Sequence, residues 1–234
     1  MTGRVFGLGL GPGDPELITV KALGLLRRAA IVAYPAPETG ASFARGIVAR
    51  WLSPAQREMP IRIPMEETRF PAQAVYDRAA RAIGAELDTG RDVAILCQGD
   101  PFFYGSFMYL FGRLSERYPV EVVPGVSSLG ACAAAAGFPL AARNDVLVVL
   151  PAGLPDAELA RRLDTCDAAA IIKLGRHFAR LRALLERQDL AAAAHYVEHA
   201  TLADMRIARL TEVDPAEAPY FSMILVHRRG EAWR

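Results

Sequence analysis

Residues Val93-Ala94-Ile95-Leu96-Cys97-Gln98-Gly99-Asp100-Pro101-Phe102-Phe103-Tyr104-Gly105 constrain the fold more than any other stretch of this chain. Between Asp92 and Gln98 the apolar residues do not alternate with polar ones, which predicts a short strand covered on both faces in a parallel sheet. Gly99-Asp100-Pro101 stops it: glycine permits close backbone approach, and proline cannot donate to a sheet ladder. Ser106 is placed to cap a helix running to Tyr118. In an open α/β sheet, a strand that delivers Gly-Asp and an aromatic cluster to one edge marks where a ligand lies. The same residues also suit a plain turn, with Asp100 bonding its own backbone and the aromatics in the core. Spacing alone leaves both readings open.

Strand and helix patterns alternate along the rest of the chain. Arg4–Leu10 opens into Gly9-Leu10-Gly11-Pro12-Gly13-Asp14-Pro15-Glu16, after which Leu17, Ile18, Ala22, Leu25 and Leu26 recur near a 3.6-residue period. Asp14 is placed as the cap and Pro15 at the first helical position. Strand, glycine loop and helix start together would turn backbone N–H groups toward an anion or polar ligand. The dinucleotide fingerprint fails, because its third glycine falls on Asp14 or Pro12 and no acid closes Ile31–Tyr34. Further helices are expected at Phe43–Leu52, Pro71–Thr89, Pro155–Leu163 and His177–Arg187, with an alanine-rich one after Val126. Strands are expected at Ile61–Ile63, Val120–Val123, Asp145–Leu150, Ala168–Lys173, His195–Glu198 and Phe221–His227. This alternation predicts two α/β domains with mostly parallel sheets, residues 1–118 and 119–234, divided at Tyr118-Pro119. Ser127 or Ser128 suits a helix cap, and Leu129 in place of the second glycine breaks the serine-hydrolase elbow.

Composition removes several classes. With 27 Lys and Arg against 26 Asp and Glu, the chain offers no electrostatic footprint for nucleic acid or anionic membrane. Lysine occurs only at Lys21 and Lys173, so the basic side is nearly all arginine. Codon usage accounts for that bias, and so does pairing with a polycarboxylate ligand. Cys97, Cys132 and Cys166 are odd in number and far apart, and His177, His195, His199 and His227 lack zinc-site spacing. Neither a disulfide framework nor a metal site is expected. No signal segment precedes the first strand and the apolar run around Ala131–Ala136 is too short to span a bilayer, so a cytoplasmic location is expected.

Four landmarks then stand in a fixed order: Gly9-Leu10-Gly11-Pro12-Gly13-Asp14-Pro15, Gln98-Gly99-Asp100-Pro101, Val123-Pro124-Gly125-Val126-Ser127-Ser128 and Val197-Glu198-His199-Ala200-Thr201. Over the whole chain that order resembles the tetrapyrrole methylases. Phe103-Tyr104-Gly105-Ser106-Phe107, Pro151-Ala152-Gly153 and Ala218-Pro219-Tyr220-Phe221-Ser222 look most like the members that methylate carbon 20 of precorrin-2. The resemblance implies two α/β domains with S-adenosylmethionine in the cleft between them, a homodimer, and a small-molecule tetrapyrrole as substrate. It places cofactor contacts at Pro12, Gly99, Asp100, Phe103, Tyr104, Ser127, Ser128, Leu174, Ala200 and Thr201. Gly11, Gly13, Asp14, Tyr220 and Phe221 fall to the macrocycle in this reading, and Arg69, Arg143 and Arg176 become candidates for its carboxylates. Two positions depart from the family pattern: Gln98 stands where Glu or Gly is more usual, and Ala200 where Gly is frequent.

The chemistry implied needs little from side chains. A sulfonium methyl is already activated, so the protein mainly holds methyl and carbon in line and keeps water away. Phe103 or Tyr104 would add a cation–π contact of roughly 0.5–2 kcal/mol. No residue is assigned as proton acceptor. The cobalt-containing form of the substrate is the nearest alternative. A methylase of this fold acting on RNA or protein is a second, the lack of a basic surplus counting against RNA. A non-catalytic sensor of S-adenosylmethionine or a tetrapyrrole is the alternative of a different class.

Overall fold

The computed structural model describes residues 2–63 and 73–229; Arg69 and the expected helix start at Pro71 lie outside them. Packing divides the chain into two units, Met1–Ser127 and Ser128–Arg234. The division expected at Tyr118-Pro119 comes too early, because Val120–Val123 pairs in parallel with Val5–Leu8 and completes the first sheet.

In chain order the first unit runs β1 (Val5–Gly9), α1 (Val20–Arg28), β2 (Ile31–Pro37), α2 (Phe43–Val48), β3 (Arg57–Ile63), α3 (Gln73–Asp88), β4 (Val93–Cys97), α4 (Phe107–Leu114) and β5 (Val120–Val123). Its sheet is wholly parallel, in the order β3-β2-β4-β1-β5. Successive strand residues point to opposite faces, and here both faces are covered. Phe6, Leu8, Val32, Ala94 and Leu96 pack with Leu25 and Leu26 of α1 and Ile47 of α2. Val5, Ile31, Val93, Ile95 and Cys97 pack instead with Ile83 and Leu87 of α3 and Leu110 of α4. This is why β1 and β4 read as unbroken apolar runs. The helix expected from Pro15 is split. Asp14 caps only a 3-10 turn at Pro15–Leu17, Ile18 is extended, and the Thr19 hydroxyl restarts the helix by accepting from Ala22 N–H at 3.2 Å.

The second unit runs α5 (Ser128–Ala135), β6 (Leu147–Pro151), α6 (Asp156–Asp164), β7 (Ala168–Ile172), α7 (Phe178–Arg187), β8 (Ala194–Glu198), β9 (Arg206–Arg209) and β10 (Ser222–His227). Its sheet order is β6-β7-β10-β8-β9. Only β6 and β7 pair in parallel; the other three pairings are antiparallel, so the parallel expectation describes the first sheet and one pair of the second. The short turn between β8 and β9 leaves no room for a crossover, which forces that pair antiparallel. β9 escapes the sequence pattern because Arg-Ile-Ala-Arg is a short, charged edge strand. One face of the sheet packs Ile171, Tyr196 and Ile224 against α6 and α7, the other packs Ala170, Val197 and Met223 against Cys132 and Phe138.

Two carboxylates tie connections to these sheets. Asp145 accepts from Ala142 N–H at 2.8 Å, from the Arg229 guanidinium at 2.6 Å and from His227 Nε2 at 3.2 Å. His227 Nδ1 accepts from Arg229 N–H, which leaves the ring proton on Nε2, facing Asp145. These donors, the Ala142 amide foremost, lower the Asp145 carboxyl to about 2. Glu58 is likewise lowered to about 2 by the bidentate Arg45 guanidinium and then by the Tyr34 hydroxyl. Both groups sit below the ordinary carboxylate value of about 4, so their contribution is complete above that pH and is lost as pH falls toward about 2. Urea midpoints followed by circular dichroism should therefore drop between those pH values. Asp145→Asn and Glu58→Gln should each flatten that dependence; an unchanged slope in both would remove these carboxylates as its source.

Candidate functional site

In the first unit β1, β4 and β5 end together, with Gly9 level with Cys97 and Leu8 with Val123. The turns that follow pack backbone on backbone. Gly11 N–H donates to Gly99 O at 3.3 Å, and Gly99 N–H to Gly11 O at 2.7 Å. A Cβ at Gly125 would lie 2.1 Å from Gly99 O and 2.8 Å from Gly9 Cα, and one at Gly9 would lie 2.4 Å from Gly125 N. Glycine at 9 and 125 is thus a packing requirement. Gly99 is different: its φ is +67°, and nothing lies within 4 Å of where a Cβ would stand. It answers a left-handed turn and leaves open space beside it.

Asp100 spans two of these turns, Oδ1 accepting from Phe102 N–H at 2.9 Å and Oδ2 from Gly125 N–H at 3.0 Å. Cys97 is buried at the strand end, its Sγ 3.8 Å from Asp100 O, and burial pushes its thiol up to about 11. That thiol is packing, not a nucleophile. Phe103 and Tyr104 meet edge-on at 5.1 Å, and Tyr104 is exposed on a left-handed backbone. Gly11, Pro12 and Gly13 are buried, and Asp14 Oδ1 accepts from Glu16 N–H at 2.8 Å. The first unit therefore brings Gly11, Gly99 and Asp100 together at one edge, joined by Gly9 and Gly125. Phe103 and Tyr104 follow on the same turn, and Ser127 lies just beyond Gly125, half-buried.

In the second unit β7 and β8 run in the same direction with β10 antiparallel between them, so their carboxyl ends flank the start of β10. Two turns there share one pattern. Lys173 (φ +62°) and Gly175 (φ +42°) bracket Leu174, while His199 (φ +49°) and Thr201 (φ +71°) bracket Ala200. Left-handed backbone is strained for these side chains, most of all for β-branched threonine, and persists only where surrounding contacts enforce it. Gly175 N–H donates to Pro219 O at 3.2 Å, His199 N–H to Phe221 O at 3.0 Å, and Thr201 N–H to Met205 Sδ at 3.4 Å. His199 Nδ1 also meets Asp204 Oδ2 at 2.7 Å. Leu174 and Ala200 are themselves buried. Among the described residues their N–H groups have no backbone acceptor. Tyr220 and Phe221, both exposed, lead into β10 with rings edge-on at 5.4 Å, and Lys173 Nζ lies 5.9 Å from the Tyr220 ring centre.

The second unit thus gathers Leu174, Ala200, Thr201, Tyr220 and Phe221 at one sheet edge. Ser128 opens α5 and is exposed, as are Arg143 on its loop and Arg176 in the 3-10 turn Gly175–His177. Gly9, Gly125, Lys173 and the His199–Asp204 pair carry no site role in the sequence reading, although Gly9, Gly125 and His199 stand within its landmarks. The contact of Gly125 with Gly9 depends on β5 joining β1, which no local sequence pattern announces. Among the described residues no cluster of three or more His, Cys, Asp or Glu could hold a metal ion, and no helix is long and apolar enough to cross a membrane.

Comparison with known proteins bears on both edges. The sequence profile of the tetrapyrrole (corrin/porphyrin) methylases matches residues 4–215. The chain is 43% identical over 232 residues to the cobalamin biosynthesis protein CobIJ of Mycobacterium tuberculosis, covering 96% of this chain but 46% of that protein; it spans about half the length of such relatives. It is 41% identical to a precorrin-2 C(20)-methyltransferase from Sinorhizobium, covering 96% of this chain and 95% of that one. Identity to the cobalt-precorrin-2 C(20)-methyltransferase of Salmonella typhimurium is 35%, over 99% of both chains. Among solved structures, the cobalt precorrin-4 methyltransferase CbiF shares the fold with a TM-score of 0.74 at 22% identity, over 97% of this chain and 96% of that one. The uroporphyrin-III C-methyltransferase of Thermus thermophilus complexed with S-adenosylhomocysteine has a TM-score of 0.67 at 25% identity, over 96% of this chain and 92% of that one.

Proposed function

Because the chain belongs to the tetrapyrrole (corrin/porphyrin) methylases, we propose that it transfers a methyl group from S-adenosylmethionine to carbon 20 of precorrin-2, giving precorrin-3A in cobalamin biosynthesis. One observation carries this reading: the 41% identity to a precorrin-2 C(20)-methyltransferase over nearly the whole of both chains. The Salmonella relative favours a second reading, the same methylation of the cobalt form, in which the metal belongs to the substrate. In either case the enzyme is a cytoplasmic homodimer acting on a small molecule.

The residues present fit the cofactor. Leu174 and Ala200 pair a buried apolar side chain with an N–H group that, among the described residues, no backbone carbonyl takes up, and strained neighbours flank both. Such a pair suits a flat heteroaromatic ring with a hydrogen-bonding edge, which is what adenine offers. Gly99 leaves room for a ligand at the carboxyl edge of the first sheet, where open α/β sheets bind theirs. When bound, S-adenosylmethionine supplies a sulfonium methyl already activated for transfer. Phe103 and Tyr104 offer ring faces that steady positive charge. The strained turns hold their geometry before binding, so little ordering is left to be done when the ligands meet. Tyr220 and Phe221, with Lys173 beside them, present flat apolar surface and a cation to a macrocycle rimmed with carboxylates.

Anaerobic incubation with S-adenosylmethionine and either precorrin-2 or cobalt-precorrin-2, followed by mass spectrometry of the pigment, tests the proposal. A gain of one methyl on the metal-free pigment is expected. Methylation of the cobalt pigment alone would move the enzyme to the second reading, and no gain on either would reject both.

A further inference from the structure

The structure assigns Asp100 a positioning role: its carboxylate fixes the Pro124–Ser127 turn against the Gly99–Phe103 turn, and it acts on bound S-adenosylmethionine only through that geometry. This rests on the proposal that these turns hold the cofactor, and adds to it by separating positioning from contact. Both carboxylate oxygens are already engaged, Oδ1 by Phe102 N–H at 2.9 Å and Oδ2 by Gly125 N–H at 3.0 Å. The first bond closes a local turn. The second reaches across the sheet edge, for β1 lies between β4 and β5 and no ladder bond joins those two strands. Gly125 cannot drift to find another acceptor without losing its close fit against Gly99 O and Gly9. Cys97 Sγ, 3.6 Å from Gln98 O and 3.8 Å from Asp100 O, backs the same turn from the core side.

The chemistry separates the two bonds. Asparagine keeps an oxygen for Phe102 N–H, but its amide nitrogen would then face Gly125 N–H, donor against donor. Asp100→Asn thus frees one turn from the other while preserving the local bond, and Asp100→Ala removes both.

Amide hydrogen exchange on the free protein reads the turns directly. Calorimetry with S-adenosylhomocysteine and with methylthioadenosine, which lacks the amino-acid end, reads the site. Exchange at Gly125 should rise about tenfold or more in both variants, the scale of losing a hydrogen bond to a charged group. Exchange at Phe102 should rise only in Asp100→Ala. Both ligands should weaken by the same factor, with the melting temperature close to that of the unsubstituted protein. Loss of affinity for S-adenosylhomocysteine alone would overturn the assignment, because the carboxylate would then touch the amino-acid end itself. Unchanged exchange at Gly125 would overturn it whatever the affinities. If the unsubstituted protein bound neither ligand, the proposed function would fall, while the exchange results would still decide whether Asp100 holds the two turns together. Should Asp100→Ala not fold, Asp100→Asn carries the same decision.

Discussion

Gly125→Ala is expected to lower stability by about 3 kcal/mol, the upper part of the usual range for overpacking, and to abolish methyl transfer. The added carbon would stand 2.1 Å from Gly99 O and 2.8 Å from both C and Cα of Gly9. Those neighbours are main chain at the ends of β1 and β4, so no rotamer change relieves the clash. One of the two turns must move, and the hydrogen bond from Gly125 N–H to Asp100 moves with it. Gly24→Ala is the control. It lies in α1, and nothing lies within 4 Å of its added carbon, so it should be neutral or stabilising by about 0.5–1 kcal/mol. Urea denaturation and calorimetry with S-adenosylhomocysteine would compare the two. Equal stability and affinity in both would mean that the three turns are not packed as described.

The contrast between these glycines shows what could be read from sequence and what could not. Both faces of β4 being covered followed from its unbroken apolar run, and the Gly-Asp-Pro stop placed a turn at a sheet edge. Which other turns meet it did not follow, because β5 joins β1 on the far side of β4 and strand order is a property of the whole sheet. Asp100 illustrates the same limit. Its two sequence readings were a ligand contact and a local turn, and the structure adds a third, a bond to Gly125 across the edge. In the second unit Leu174 and Ala200 came from the resemblance alone. The left-handed backbone that brackets them falls on Lys173, Gly175, His199 and Thr201, and of these only the glycine is a residue type that marks it plainly. The antiparallel pairings of that sheet were hidden for a related reason: β9 is four residues of mixed polarity, and β10 carries no mark of its direction.

Phe178→Ala should cost about 3–5 kcal/mol, the scale for removing a fully buried aromatic side chain. Phe178 has no exposed surface, begins α7, and meets the Tyr196 ring edge-on at 5.3 Å. It shares its cluster with Leu174, Ile171, Leu181 and Ile224, so the cavity would open beneath the turn that carries Leu174. Tyr196 depends on that packing too, and its hydroxyl, which donates to Glu198, is raised far above its ordinary value by burial and then by that carboxylate. Phe178→Leu retains most of the volume and should cost less than about 1.5 kcal/mol. The urea midpoint of the second unit, followed by amide exchange in β7 and β8, would measure both. A small loss in Phe178→Ala would show that the site can collapse around the missing ring. The two turns that bracket Leu174 and Ala200 would then owe their geometry to Pro219 and Phe221 rather than to the core below.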